Sequence, residues 1–107
     1  MGVDITQTVA VAQVAAGTTT LVSAPGVGLR IVMHGADISI DGAGTFKFVS
    51  GSTDMTGDFY SHSASHANVS IAQGADCHIL CGANEALKIT STTNPVSGVV
   101  YYSVQSV

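Results

Sequence analysis

The stretch GTFKFVSGSTDMTG, residues 44–57, combines a short β-strand pattern with closely spaced turn residues. In an extended strand Phe46 and Phe48 fall on one face, and Thr45, Lys47 and Val49 fall on the other. This alternation is typical of a half-buried strand. The Gly, Ser, Thr and Asp residues that follow are those that favour turns. The stretch therefore predicts a β-rich scaffold and no catalytic chemistry of its own.

The preceding run, GLRIVMHGADISIDGAG at residues 28–44, contains two apolar clusters. Apolar residues occupy odd positions before His34, as Ile31 does, and even positions after Gly35, as Ile38 does. A β-bulge or a strand break at Gly35 accounts for this change of phase.

Residues 41–44, DGAG, form a loop between this run and the Phe46 strand. Asp and Gly tolerate positive φ, which tight β-turns require. We therefore expect the two flanking strands to form a β-hairpin.

Further short apolar runs predict the remaining strands. Thr6–Val14 fits the helical and the strand period poorly, and we predict a strand there. The other predicted strands lie at Thr18–Ser23, at Val69 and Ile71, at Cys77–Cys81, at Leu87 and Ile89, and at Val100–Val104. About eight strands with turn signals between them and no convincing helix are typical of a sandwich, jelly roll or barrel. We predict an all-β chain with one β-sandwich or jelly-roll domain at residues 7–107 and an N-terminal arm at residues 1–6.

Three segments resemble a group of small virion proteins of tailed bacteriophages. They are residues 28–57, the run NEALKI at residues 84–89, and the run VSGVVYY at residues 96–102. The family pattern contains an F-x-S-G-s-T-d-l-T-G segment and a later G-E-A-L segment, and Asn84 stands where the family usually has Gly. The resemblance implies a β-sandwich or jelly-roll subunit that oligomerises, commonly as a trimer, and decorates a capsid or sits on a head or tail appendage. The Ser- and His-rich insert Tyr60–Asn68 departs from the pattern, so the resemblance assigns it no role.

Charge is scarce in this chain. It has three Lys and Arg residues, seven Asp and Glu residues, a formal net charge of −4, and 9% charged residues, against about 25% in an average globular domain. No basic patch is available to release phosphate counterions, so we expect neither nucleic acid nor an anionic membrane surface as a partner. No apolar run approaches the roughly 20 residues of a membrane-spanning helix, and we expect no secretory leader at the N-terminus.

Two groups of metal-binding residue types do not form a predicted metal site. His62 and His66 have helix-like ligand spacing, but nothing predicts a helix there. Cys77 and Cys81 lie about 13 Å apart along a strand, and His78 faces the opposite way. We predict no metal or cofactor, with one alternative, in which a single His from each of three subunits collects an ion on a three-fold axis.

Enzymatic activity is not expected. The chain has a single Glu, Glu85, and no Ser in a Gly-x-Ser-x-Gly context. Turn formation accounts for Asp41, Asp54 and Asp58 without a calcium ion. We predict no catalytic residues.

Exposed strand edges normally carry Lys, Pro or other features that block edge-to-edge pairing, and this chain has few of them. Oligomerisation followed by docking on a larger lattice covers such edges. We predict that Ser61–Asn68, the most loop-like segment of the chain, is a loop. We therefore predict contacts with other subunits or with a capsid through Val3 and Ile5 of the arm and through Tyr60, His62 and His66 in or beside this loop.

The resemblance and the scarcity of charge together predict a non-enzymatic virion structural protein. We expect a capsid decoration or cement subunit, a homotrimer that binds the major capsid protein on the outer capsid surface after assembly in the host cytoplasm. One alternative is a head-fibre or tail-associated component. Another is a small jelly-roll carbohydrate- or receptor-binding module, although the chain has no Trp, and Tyr101 and Tyr102, adjacent on one strand, face opposite ways.

Overall fold

The computed structural model describes residues 7–14, 17–61, 66–71, 79–92 and 95–107. Within these ranges the chain forms ten β-strands and no helix. No segment of the described ranges is a helix long and apolar enough to cross a membrane. The strands are β1 (Gln7–Val14), β2 (Gly17–Val22), β3 (Leu29–Asp41), β4 (Gly44–Ser50), β5 (Thr53–Asp54), β6 (Phe59–Ser61), β7 (His66–Ile71), β8 (Ile79–Leu80), β9 (Leu87–Ser91) and β10 (Val96–Ser106).

The strands form two antiparallel sheets that pack face to face. One sheet has the order β1-β10-β3-β7, and β8 also pairs with β3; the other has the order β2-β9-β4-β5, and β6 also pairs with β4. Because β7 and β8 share one edge of β3, and β5 and β6 share one edge of β4, each sheet has four strand positions. Numbered along the chain, these positions run 1-8-3-6 and 2-7-4-5, which is the strand order of a jelly roll. The predicted sandwich of about eight strands is confirmed.

A β-bulge in β3 confirms the predicted irregularity near Gly35. Opposite β10, Gly35 pairs with Tyr101 and Met33 pairs with Tyr102, so that His34 is the extra residue on β3. The strand continues through this point without a break. The extra residue returns the apolar side chains to the core face, since Met33 and Ala36 are both fully buried.

The predicted hairpin at residues 41–44 is wrong. β3 ends at Asp41 and β4 begins at Gly44, but the two strands belong to different sheets and do not pair. The short Gly-rich loop instead carries the chain from one sheet to the other. A local turn signal specifies a reversal of direction, whereas the choice of partner depends on which strands of distant sequence occupy the neighbouring edges.

The predicted loop Ser61–Asn68 is wrong at both ends. Ser61 belongs to β6, and β7 begins at His66. Asn68 lies opposite Ser39 in the ladder between β7 and β3. That pairing supplies backbone partners to a polar segment whose own sequence does not indicate a strand.

Aromatic side chains from β4 and β6 fill the core between the sheets. Phe46 and Phe48 are 1% and 0% exposed, which confirms the inward face predicted for them. Phe59 stacks on Phe46 with ring centroids 5.1 Å apart and meets Phe48 edge-on at 6.4 Å. Both arrangements are favourable for aromatic pairs. In β9, Leu87 and Ile89 are fully buried, so the predicted alternation of that strand is also confirmed.

Gly98 allows β10 to approach β3 closely. Its φ is 146°, and a Cβ at this position would collide with the carbonyl oxygen of Asp37. Gly98 pairs with Ile38 on β3 and with Val11 on β1. The centre of this sheet therefore requires a residue without a side chain at this position.

Candidate interaction surface

The two lateral sides of the sandwich each combine one edge strand from each sheet. On one side β1 lies next to β2; on the other, the edges are formed by β7 and β8 in one sheet and by β5 and β6 in the other. We name these the β1–β2 side and the β6–β7 side.

The predicted contact residues fall partly on the β6–β7 side. Tyr60 lies in β6 opposite Thr45, and His66 lies in β7 opposite Asp41. Both residues therefore lie in edge strands on this side of the molecule. Val3, Ile5 and His62 lie outside the described residues, as does the whole predicted arm at residues 1–6.

The β6–β7 side carries charge. Asp54 of β5 is exposed and accepts a hydrogen bond from Lys47 Nζ at 2.9 Å. This hydrogen bond raises the pKa of Lys47. Charged side chains on or beside an edge strand oppose its pairing with another chain. This edge therefore has the protection usual for a sheet edge.

Strands β1 and β2 carry no charged residue, although Lys88 of β9 lies beside β2, opposite Thr20. No Asp, Glu, Lys or Arg occurs between Asp4 and Arg30. Both edge strands of this side lie within that interval, and their exposed residues are small or neutral: Gln7, Thr8 and Ala10 of β1, and Gly17, Thr18, Thr19 and Thr20 of β2. The composition indicated that cations are scarce, but this surface was not predicted from the sequence. The signal that could have predicted it is the absence of charged residues between Asp4 and Arg30.

The core-facing side of β2 is exposed to solvent at the edge of its sheet. Thr19 pairs with Ile89, which is fully buried in the core. Residues directly opposite each other on antiparallel strands share a face of the sheet. Thr19 is nevertheless exposed. No described strand covers the core side of the sheet at this point of the edge.

A polar cluster lies on the outer face of the sheet that contains β3 and β10. His34 Nε2 lies 2.8 Å from Ser103 Oγ, and Gln105 Nε2 donates to the same oxygen at 3.2 Å. Ser103 is fully buried, so these contacts satisfy a hydroxyl that is shielded from water. Within the parts of the chain that the structure describes, no three His, Cys, Asp or Glu side chains are close enough together to hold a metal ion. The cluster is a packing feature of the sheet.

Cys81 is a buried thiol, as predicted. It is 1% exposed, and its Sγ lies 3.6 Å from Met55 Sδ. Burial raises the pKa of Cys81, because the thiolate loses solvation in the core. Cys77 and His78 lie outside the described residues.

The adjacent tyrosines of β10 contact different partners. Tyr101 OH donates to Asp37 Oδ2 at 3.4 Å, whereas Tyr102 OH donates to Gln7 Oε1 at 3.3 Å, and the Tyr102 ring packs against the core. The two rings therefore do not form a shared platform for a sugar.

Comparison of the chain with models of known protein families, with curated proteins and with solved structures found no match.

Proposed function

We propose that this chain is a non-enzymatic structural subunit of a tailed-phage virion. In this proposal it is a decoration or cement protein that associates with copies of itself, as a homotrimer, and docks on the major capsid protein at the outer capsid surface. The observation that carries the proposal is the exposed, uncharged β1–β2 side. These two edge strands have one register irregularity each, at residues 11–14 of β1 and 20–22 of β2, but no charged residue. Long uncharged edges are a liability in a free monomer, and assembly removes that liability.

Two further features support a structural role. The segments that carry the phage resemblance lie in core strands β3, β4, β9 and β10 and in the turns between them. Among the described residues, the polar side chains of His34, Ser103, Ser50 and Glu85 make hydrogen bonds that join neighbouring strands and loops, as a structural role requires. A lattice-bound scaffold needs a rigid sandwich and contact surfaces, and jelly rolls are frequent in viral capsid proteins.

Sedimentation of the purified chain tests the first half of the proposal. At micromolar concentration we expect a stable trimer. A monomer under these conditions would contradict the proposed self-association.

Image reconstruction of the particle that carries the chain tests the second half. Density for the sandwich repeated over the capsid lattice is the expected result. Density at a single vertex or on the tail would replace the decoration role with that of a head-fibre or tail component. Glycan binding by the free chain, together with its absence from the particle lattice, would indicate a receptor-binding module instead.

A further inference from the structure

We infer that the β1–β2 side is the surface through which copies of this chain bind one another, with the β1 edge of one copy against the β2 edge of the next. The inference rests on the proposed self-association and assigns it to a specific part of the molecule.

The first argument is the free backbone of the two strands. β1 pairs only with β10, and β2 only with β9, among the strands that the structure describes. Each therefore presents a row of backbone N–H and C=O groups away from its sheet. Such a row pairs readily with a strand of another chain, because the ladder hydrogen bonds need no particular side chains.

The second argument is charge. Two copies with a net charge of −4 each repel one another, and the repulsion is strongest where acidic side chains meet. Asp54 and Asp58 are exposed around β5 and β6, and Lys47 forms an ion pair with only one of them, Asp54. Contact through the β6–β7 side therefore brings acidic side chains of two copies close together. Strands β1 and β2 carry no acidic residue, and the charged residue beside β2, Lys88, is a cation. It is therefore the lateral side on which copies meet at the lowest electrostatic cost.

The third argument is the fit of the side chains. Thr18, Thr19 and Thr20 give β2 a run of β-branched residues, the type that packs well against a neighbouring strand. The Thr18 hydroxyl already bonds Thr90 at 2.8 Å within the sheet, so this side chain is held in place before association. Thr18 therefore loses little side-chain entropy when a second copy binds.

The type of contact separates the possible assemblies. An edge paired with the same edge of a second copy gives a two-fold dimer, whereas β1 paired with β2 of the next copy is a heterologous contact. A heterologous contact builds a closed ring, such as the proposed trimer, when the rotation from copy to copy closes, and a filament when it does not.

A lysine placed in the contact tests the inference. Thr19→Lys adds a charge at the exposed centre of β2, and Thr8→Lys adds one on β1. The matched control is Ser52→Lys, which adds the same charge to an exposed turn outside the β1–β2 side. We expect both edge variants to sediment as monomers at concentrations where the wild type and Ser52→Lys remain associated. Far-UV circular dichroism and the melting transition of the dilute monomer establish that each variant is folded.

The outcomes separate this inference from the proposed function. If both folded edge variants stay as associated as the wild type, the β1–β2 side is not the contact, and the inference is overturned. If only one of the two edge variants fails to fold, the other still decides, because each edge contributes to every contact. A wild type that associates and is dissociated by the edge lysines, but never binds particles, would uphold the inference and contradict the decoration role.

Discussion

Ser50 donates a hydrogen bond from Oγ to Glu85 Oε1 at 2.7 Å, and this contact joins the end of β4 to the loop before β9. The N–H of Gly82 donates to the same Ser50 Oγ at 2.9 Å. The N–H of Gly51 donates to the carbonyl oxygen of Ala86, also at 2.9 Å. The Ser-Gly segment at residues 50–51 and the Glu-Ala-Leu segment at residues 85–87 therefore meet in space and close one end of the sandwich.

Removal of the Ser50 hydroxyl should destabilise the fold. Ser50 is 3% exposed, and Ser50→Ala leaves both Glu85 and the Gly82 N–H without this partner. We expect a loss of about 1–3 kcal/mol in the free energy of unfolding, because the variant loses one hydrogen bond to a carboxylate and one from a backbone N–H. Urea denaturation measures it, with Ser52→Ala as the control, because exposed Ser52 should change stability by less than about 0.5 kcal/mol. Equal midpoints for the two variants would contradict the structural role of the contact.

Truncation of Phe46 should be more costly. Phe46→Ala removes a fully buried ring that packs on both Phe48 and Phe59. Core Phe→Ala substitutions cost about 3–5 kcal/mol, a large part of the roughly 5–15 kcal/mol that stabilises a domain. Chemical denaturation of Phe46→Ala beside Val27→Ala, which trims a side chain 93% exposed, provides the measurement and its control. A Phe46→Ala midpoint as high as that of Val27→Ala would place the ring outside the core.

Substitution of Gly98 by Ala should destabilise the fold, and the same substitution at Gly57 provides the control. Gly98→Ala places a methyl group against the Asp37 carbonyl oxygen in a conformation that L residues rarely adopt, whereas a methyl at Gly57 meets nothing within 4 Å. We expect Gly98→Ala to cost several kcal/mol, or to prevent folding, since the strands must separate to admit it. Gly57→Ala should leave the melting temperature nearly unchanged. Equal melting temperatures for Gly98→Ala, Gly57→Ala and the wild type would contradict the close approach of the strands at Gly98.

The Cys81 thiol should make stability depend on alkaline pH. Its raised pKa means that the folded chain keeps the proton at a pH where the unfolded chain releases it. The contribution is therefore complete below the ordinary thiol pKa of about 8.5 and is lost as the pH rises through that value towards the raised one. We expect the melting temperature of the wild type to fall more steeply above about pH 8.5 than that of Cys81→Ala. Parallel curves for the two proteins would show that the thiol is not shielded.

The N-terminal arm gives a prediction about attachment. Deletion of residues 2–6 should leave the sandwich folded and weaken its binding to particles, because Val3 and Ile5 alternate with Asp4 as anchors of an added strand do. A Val3→Asn, Ile5→Asn variant keeps the length and should bind as weakly as the truncated chain. Co-sedimentation with stripped particles measures both. Full decoration by the truncated chain at equal concentration would exclude the arm as the attachment element.

Local alternation was enough to predict the strands with one buried face. Phe46, Phe48, Leu87 and Ile89 lie inward as predicted, and the change of phase around Gly35 correctly indicated a bulge. These features depend only on the two-residue period of a strand and on the need to bury one face.

Strand partners were beyond the reach of the same reasoning. The loop at residues 41–44 has the composition of a hairpin turn, yet β4 pairs with β9 and β3 pairs with β10. Paired residues are 37 to 45 positions apart between β4 and β9 and 56 to 77 positions apart between β3 and β10, and no local signal indicates such distant partners. The β1–β2 side was missed for a related reason, because its two strands become a common surface only when the sheets pack together.

The pairing of β1 with β10 also governs when the chain is able to fold. Thr8 lies opposite Tyr101, and in the other sheet Thr18 lies opposite Thr90, so each sheet joins an early strand to a late one. Neither ladder forms until nearly the whole domain has been synthesised, and folding dominated by such distant pairings takes milliseconds to seconds. During synthesis β1 and β2 leave the ribosome before the strands that pair with them. Their uncharged sequences, which suit them for assembly, therefore also expose the nascent chain to aggregation before it folds.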